Sequence, residues 1–503
     1  MKLRELLRQV SVRGSRGDLE VEVGSVTADS RLVGAGSIFV AVPGFKTDGA
    51  QFIDSAIRKG AAAIVCESSV ALPASSAAFI EVEDTRAALS LIAANFYGRP
   101  ADTLSVVGVT GTSGKTTTTK MIESILDAVG QPVGLIGTIE YRAGDERLTA
   151  DRTTPDAVIL QQWLAKMVDA GVRNAVMEVS SHALALKRTF GMRFRAAVFT
   201  NLSQDHFDFH KDFEDYFAAK RILFDQIDRT RKTAIVNIDD DYGRRLAGEL
   251  RDCVVTFGRE QTADIRPFDD FEISVRGLHG RVRTPAGDVT IESRLLGAPN
   301  LSNWLGAIGA ALAVGIDTAT IETGIRNLAA VRGRFEYVAS DGGPTVIVDY
   351  AHKPDALEKL LHAVRGLADG RRVVVIVGCG GDRDRDKRAK MGAIAARLAD
   401  RVVLTSDNPR SEDPERILDD IEGGMADASN YERIADRRQA IERTIGEASE
   451  NDVIVIAGKG HELYQVVGDQ IIHFDDREEA ERALQSKQQK TSGKNGTLKP
   501  VSN

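Results

Sequence analysis

The sequence predicts an α/β protein of three domains, the central one a P-loop-type ATPase domain with a mostly parallel sheet and the last one Rossmann-like. Three observations predict it. A length of 503 residues exceeds what one core organises, and roughly 150 residues per domain gives about three domains. Short apolar runs recur along the chain between helical patterns, the signature of parallel strands covered by helices. One such run leads into Gly111-Thr112-Ser113-Gly114-Lys115-Thr116-Thr117, the glycine loop and helix start that cradles nucleotide phosphates.

Residues 1–100 form the first domain, with strand-like runs at 37–42 and 61–66 between turn residues and a linker at Tyr97-Gly98-Arg99-Pro100. The second domain, 101–331, has apolar runs at 104–109, 175–179, 196–199 and 234–237 and carries the glycine loop. The third, 332–484, follows Val331-Arg332-Gly333-Arg334 and repeats the alternation with runs at 345–348, 372–377, 401–405 and 453–457. Its Gly378-Cys379-Gly380-Gly381 lacks the spacing of a dinucleotide fingerprint. Residues 485–503, rich in Lys, Gln, Ser and Gly, read as a disordered tail.

Composition excludes several classes. A net charge of -8 gives no electrostatic footprint for nucleic acid, so local arginines and lysines must meet any anionic substrate. No apolar run reaches the ~20 residues of a membrane span, and the start MKLRELLRQV has no secretory apolar segment. The expected address is the cytoplasm and the expected state a monomer acting on small molecules. Cys66, Cys253 and Cys379 lie far apart, which argues against a disulfide framework or a zinc site.

In the glycine loop, Lys115 supplies a point charge for phosphate and the Thr116 hydroxyl can reach magnesium. Strict Walker spacing is not met, because Val109 stands where that pattern has glycine and the glycines fall at 108 and 111. Asp205-His206-Phe207-Asp208-Phe209-His210 is a dense set of metal-ligating types. A metal-dependent hydrolase, a turn capped by aspartates and magnesium delivered with ATP all suit it. Glu178, ending an apolar run, is a further carboxylate candidate, since α/β sheets bind ligands at the carboxyl ends of their strands. Phe213, Phe217, Lys220 and Phe224 fall on one helical stripe, with a lysine where a core residue belongs. Such a lysine either snorkels to solvent or is buried and driven towards the neutral amine. A neutral amine can capture carbon dioxide, and the carbamate is an anionic two-oxygen ligand able to hold magnesium.

GTSGKTT (111–117), EVSSHAL (178–184), NLSQDHFDFH (201–210), YFAAKRILF (216–224) and DYAHKPDALE (349–358) together resemble the Mur ligases, the ATP-dependent amide-bond ligases of peptidoglycan precursor synthesis. GCGGDRDRDKR (378–388), SDNPRSEDP (406–414) and AGKGHELYQ (457–465) resemble the members that add diaminopimelate. The resemblance covers the chain to about residue 480 and implies an acid–amino-acid ligase. Its reaction would join meso-2,6-diaminopimelate to UDP-N-acetylmuramoyl-L-alanyl-D-glutamate through an acyl phosphate, in cell-wall biogenesis and hence cell shape and division.

Roles carried over by the resemblance are these. Ala28, Ser30, Lys46, Thr47 and Asp48 hold the uridine diphosphate end, and Arg152, Thr153, Thr154, Ser180 and Arg188 the muramoyl-peptide. Residues Gly111, Thr112, Ser113, Gly114, Lys115, Thr116, Thr117, Asn300, Arg334 and Asp349 bind ATP. Thr116, Glu178, His206 and Lys220, as its carbon-dioxide-derived carbamate, hold Mg2+. Lys115, Lys220 and His206 are catalytic. Arg383, Asp407, Asn408, Pro409, Arg410, Gly458 and Glu462 bind diaminopimelate, and a guanidinium at 410 can grip its far carboxylate bidentately. Arg152, Pro299, Arg332, Lys353 and Ala389 depart from the family pattern, which usually has asparagine at the first and proline or threonine at the last three. Rival readings are the lysine-adding ligase, which should lack DNPR, folylpolyglutamate synthetase, which should lack the N-terminal UDP-binding domain, and a nucleotide-switched binding protein without ligase activity.

Overall fold

Val, Ile and Ala dominate the longest apolar runs, and β-branched side chains packed on both faces are what a covered parallel sheet requires. The computed structural model describes residues 1–44, 47–67, 75–338, 343–426 and 428–495. Three large sheets occupy successive stretches of the chain. The first runs in the order Val12–Arg16, Ala78–Val82, Ala63–Glu67, Ser37–Val40, Ser25–Thr27, parallel except for its first pair. The second runs Val254–Phe257, Ala234–Asn237, Ala196–Phe199, Ser105–Thr110, Asn174–Glu178, Val133–Ile136 as parallel strands, then adds Glu140–Ala143 and Glu146–Thr149 as an antiparallel edge. The third runs Glu336–Val338, Thr345–Asp349, Val453–Ala457, Val373–Val377, Arg401–Leu404, Tyr431–Arg433, parallel except for its first pair.

The chain forms two compact units. One comprises Met1–Arg266, Arg283–Val289 and Ser302–Gly324, and the other Pro267–Val282, Thr290–Leu301 and Ile325–Asn503. Helices cover the sheets, and several begin at side-chain caps. Asp84 accepts from Ala87 N ahead of Thr85–Phe96, Asp156 from Ile159 N ahead of Ala157–Asp169, and Asp212 from Asp215 N ahead of Phe213–Arg221; each cap is worth about 1 kcal/mol. Within the first unit, Lys187 ion-pairs with Asp84, and Ser90 Oγ donates to Lys187 O at 2.6 Å.

Parallel strands end on one edge of their sheet, and that edge is where α/β sheets bind ligands. In the first unit it gathers the segments after Thr110, Glu178 and Phe199, and in the second those after Asp349, Val377, Leu404 and Ala457. The final helix, Asp476–Asn495, runs into the stretch whose composition predicts disorder. Ala480, Ala483 and Leu484 are buried and anchor it, and the Gln and Lys that follow are good helix formers. Residues 496–503 lie outside the described residues. Among those described, no helix is long and apolar enough to cross a membrane.

Candidate active site

The glycine loop is built from the backbone outward. Gly111 has φ +149, and a Cβ there would lie 1.9 Å from Thr200 Oγ1; Gly114 starts the helix Lys115–Asp127 with φ +86. Only glycine suits both positions. Gly108 has a different task. It lies in the strand, and a Cβ there would crowd Phe194 and Leu223 at 2.9 and 3.0 Å, so this departure from the Walker spacing is a packing glycine beneath the sheet. The segment after the neighbouring strand clamps the loop: Thr112 N donates to Asn201 O at 2.9 Å, Ser113 N to Asn201 Oδ1 at 3.0 Å, and Thr200 Oγ1 to Ser113 O at 2.7 Å. Lys115 Nζ folds back onto Gly111 O at 2.8 Å and Thr112 O at 3.0 Å. Thr117 is buried in the helix.

In the first turn of that helix, Thr116 Oγ1 donates to Glu178 Oε2 at 2.9 Å. The Glu178 carboxylate also accepts from Thr138 N at 2.7 Å and Thr138 Oγ1 at 3.0 Å. Four predicted muramoyl-peptide residues gather here. Thr153 Oγ1 lies 3.0 Å from Thr138 Oγ1, Thr154 Oγ1 donates to Glu178 O at 2.8 Å, Ser180 N donates to Thr154 Oγ1 at 3.1 Å, and Arg188 Nη1 donates to Thr154 O at 2.7 Å. Burial, and then the charge of Arg152, lower the Arg188 pKa. Two mutually repelling guanidiniums place positive charge beside the carboxyl edge of the sheet, a setting that suits an anion.

Lys220 is 1% exposed. It lies between Phe217 and Phe224, both buried, as the stripe predicts. Its Nζ donates to Gly111 O at 2.8 Å, the carbonyl that Lys115 also uses, and lies 4.3 Å from the centre of the Tyr216 ring. Tyr216 reaches the loop through its hydroxyl, 3.3 Å from Thr112 Oγ1. Desolvation, and secondly the charge of Lys115, hold the Lys220 pKa well below its ordinary value, with Asp205 a weaker opposing influence. Burying Phe217 and Phe224 contributes roughly 1.5–3 kcal/mol each. That carries a neutral amine inward but is matched by the several kcal/mol that an unpaired ammonium costs.

His206 adopts the left-handed region at φ +56 and packs in an aromatic cluster, 4.7 Å from the His182 ring centre and 6.3 Å from that of Tyr216. Among the described residues, no three His, Cys, Asp or Glu side chains converge as a ready-made metal cage. Thr116 and Glu178 nevertheless supply adjacent hard oxygen donors. That set fits magnesium brought in on nucleotide phosphates, since magnesium keeps most of its shell from water and phosphate.

The predicted uridine residues stand at the carboxyl ends of neighbouring strands of the first sheet. Ala28 and Ser30 follow Ser25–Thr27, with Ser30 O accepting from Lys59 Nζ at 2.7 Å. Thr47 and Asp48 follow Ser37–Val40, and Asp48 caps the short helix Gly49–Phe52. Lys46 lies outside the described residues. Three residues predicted for ATP belong to the second unit: Asn300 Nδ2 donates to Leu296 O at 2.9 Å, and half-buried Asp349 accepts from Phe335 N and Ala351 N at 2.7 and 2.8 Å. The third, Arg334, stacks over the Tyr350 ring at 4.9 Å. Burial raises the Asp349 pKa and the Arg334 charge opposes this. Beside the glycine loop itself stands Asn303, its Oδ1 accepting from Thr118 Oγ1 at 3.3 Å. Sequence reasoning passed over it in favour of Asn300, three residues earlier on the same helix.

The second unit brings the predicted amino-acid residues together. Arg410, at φ +52, donates from Nη1 to Gly381 O at 2.7 Å, and its backbone is held by Val466 O and Gly468 N at 3.0 and 2.7 Å. Gly380 offers no room for a side chain, because a Cβ would meet Arg410 Nη1 at 2.9 Å with Arg383 Cγ at 3.8 Å. A Cβ on Gly458 would meet Asp407 Oδ2 at 2.8 Å. Asn408 Nδ2 donates to Glu462 Oε2 at 2.8 Å, and Pro409 O accepts from Glu412 N at 3.1 Å. A buried fork fixes the two arginine loops: Arg388 donates to both Glu412 oxygens at 2.9 and 3.0 Å, and Glu412 also accepts from Asp382 N at 2.6 Å. The Arg388 hydrogen bonds lower the Glu412 pKa to about 2.

A glycine loop at a helix N-terminus, with Thr116 and Glu178 beside it, is the architecture of a nucleotide-dependent ligase, and the chain belongs to the Mur ligase family. Residues 22–97 match the Mur ligase family catalytic domain, 109–311 the Mur ligase middle domain and 333–460 the Mur ligase glutamate ligase domain. The UDP-N-acetylmuramoyl-L-alanyl-D-glutamate--2,6-diaminopimelate ligase of Thermosynechococcus vestitus is 46% identical over 492 residues, covering 97% of this chain and 98% of the relative. That of Trichormus variabilis is 48% identical over 493 residues, covering 96% and 99%. A solved structure of a ligase with the same name superposes with a TM-score of 0.71 at 30% identity, covering 97% of this chain and 99% of that one. Folylpolyglutamate synthase of Mycobacterium tuberculosis complexed with ADP shares the fold, with a TM-score of 0.57 at 20% identity over 73% of this chain and 90% of that one.

Proposed function

We propose that this chain joins meso-2,6-diaminopimelate to the D-glutamyl carboxylate of UDP-N-acetylmuramoyl-L-alanyl-D-glutamate at the expense of ATP, using domains 1–100, 101–331 and 332–484. The observation that carries the reading is the pairing of Arg410 and Arg383 around Gly380 with Glu462 and Asn408 close by. Guanidiniums beside a carboxylate suit an amino acid that presents a carboxylate and an ammonium at its far end. The identities of 46% and 48% to diaminopimelate ligases over nearly the whole chain support it.

A carboxylate is a poor acyl donor. In this reading the glutamyl carboxylate attacks the γ-phosphorus of ATP, ADP leaves, and an acyl phosphate forms. The amine of the second substrate then attacks the acyl carbon, and phosphate leaves from a tetrahedral intermediate. Lys115 leaves the loop carbonyls for the phosphates, the clamp through Thr200 and Asn201 holds the loop still, and Arg188 with Arg152 steadies the acidic substrate. Mg2+, when bound, offsets charge on the transferring phosphoryl group. Thr116 and Glu178 are the residues that would hold it, with His206 and a carbamate on Lys220 as further ligands. Exclusion of water protects the acyl phosphate. The reading extends to a monomeric enzyme working in the cytoplasm, where ATP is at hand.

Phosphate release tests this. With the UDP-linked dipeptide and ATP, adding meso-diaminopimelate should stimulate release strongly and adding L-lysine should not. Stimulation by L-lysine instead reassigns the substrate, and turnover indifferent to any amine turns the reading towards a nucleotide-switched binding protein.

A further inference from the structure

At the carboxyl edge of the third sheet, three polar side chains close a triangle. Lys459 is 0% exposed. Its Nζ donates to Glu462 Oε2 at 3.0 Å and to Asn408 Oδ1 at 3.2 Å. Asn408 Nδ2 donates to the same Glu462 oxygen at 2.8 Å, and Asn408 Oδ1 also accepts from Val466 N at 2.9 Å. The amide cannot be turned end for end, because its NH2 would then face an ammonium and a backbone N–H.

Glu462 is left with an asymmetric carboxylate. Oε2 takes two donors, whereas among the described residues Oε1 takes none, and the side chain is 18% exposed. A buried ammonium is costly unless paired and hydrogen-bonded, and replacing a whole buried ion pair by apolar side chains of similar volume is commonly neutral or stabilising, whereas removing one partner alone is not. Packing alone therefore does not account for a lysine here. Its placement does: the bonds to Oε2 stop the carboxylate rotating and leave Oε1 as the oxygen available to a ligand. Arg410 and Arg383 lie close enough to influence the same tyrosine, Tyr464, that Glu462 does. They repel an ammonium and attract a carboxylate, so an incoming zwitterion has one orientation to take.

We infer that Lys459 is a positioning residue for amino-acid selection: with Asn408 it occupies one oxygen of Glu462 and thereby presents the other to the ammonium group of the incoming amino acid. This rests on the function proposed above. Without Lys459 the carboxylate keeps only its bond from Asn408 and is drawn towards the neighbouring guanidiniums, which removes the ammonium's acceptor and blocks the carboxylate's site together.

The test is steady-state kinetics of the full chain and its Lys459→Met variant, with KM measured for meso-diaminopimelate, ATP and the UDP-linked dipeptide. The expected result is a rise of about tenfold or more in the diaminopimelate KM, with the other two within about twofold. In a Glu462→Gln background the same substitution should have little further effect, since the group it positions is gone. An unchanged diaminopimelate KM, a uniform rise in all three, or full additivity with Glu462→Gln overturns the inference. If Lys459→Met does not fold, Lys459→Arg, which keeps the charge but moves the donors, is judged by the same selective rise. A wild-type enzyme indifferent to meso-diaminopimelate rejects the function itself, whereas a responsive wild type with an unaffected variant rejects only the role of Lys459.

Discussion

Two lysines are buried equally in this protein and do opposite things. Lys459 is paired with Glu462 and Asn408, so its positive charge is matched. Lys220 donates to a backbone carbonyl and faces Lys115 across it, so no carboxylate is bonded to it, and Asp205 favours its ammonium less than burial and Lys115 oppose it. The difference teaches that burial alone does not set a lysine's chemistry. A carboxylate partner favours the ammonium form, whereas desolvation beside a second amine favours the neutral base.

The largest effect that can break this comparison is at Lys220. Lys220→Ala should lower kcat by at least about 10²–10³, the range for losing one group that stabilises developing charge, while the diaminopimelate KM stays near its wild-type value. A carbamate has its own signature: protein equilibrated with 13C-bicarbonate should give a carbonyl resonance that Lys220→Ala lacks. If the two spectra match, Lys220 is a positioning base and not a carbamate.

Arg410→Ala comes next and acts on the other side of the comparison. Losing a hydrogen-bonded charge partner costs roughly 1.5–3 kcal/mol, so the diaminopimelate KM should rise about ten- to a hundredfold with the ATP KM little changed. Equal rises in both would show that the arginine loop supports the fold generally. Smaller again is Glu178→Gln, which keeps the shape but removes the charge beside Thr116. The magnesium concentration for half-maximal rate should rise about tenfold or more, and a flat magnesium dependence would remove Glu178 from the metal's surroundings.

How much of this was legible beforehand follows the range of the interactions. Parallel strands such as Val373–Val377 are apolar throughout because both faces are covered, so a local run reveals them. The edge strands Glu140–Ala143, Glu146–Thr149 and Tyr431–Arg433 carry charged residues at exposed or half-exposed positions and leave no such run. Lys220 was legible because three phenylalanines at helical spacing bracket it. Lys459 was not, for its burial depends on Asn408, 51 residues away, and Gly-Lys-Gly reads as an exposed turn. Asn303 escaped for a related reason, since its contact with Thr118 spans 185 residues.

The smallest effect gives the sharpest test, because it needs no substrate. The Lys220 pKa is depressed in the folded chain and returns to its ordinary value on unfolding. Between the two values the unfolded chain holds one more proton, so stability rises with pH across that window and is lost as pH falls towards the folded value. Lys220→Met removes that proton difference while keeping the apolar stripe. In bicarbonate-free buffer, urea unfolding at stepped pH from neutral towards that of free lysine should therefore give a shallower slope of stability against pH for the variant. Its advantage over the wild type should be greatest at the acid end. Lys459→Met should fail this assay in the opposite sense: removing an ion-paired lysine leaves Glu462 without its cation, so the variant loses stability and has no acid-end gain. Parallel slopes for Lys220→Met and the wild type would mean that the amine at 220 finds a counter-charge after all, and the contrast between the two lysines would collapse.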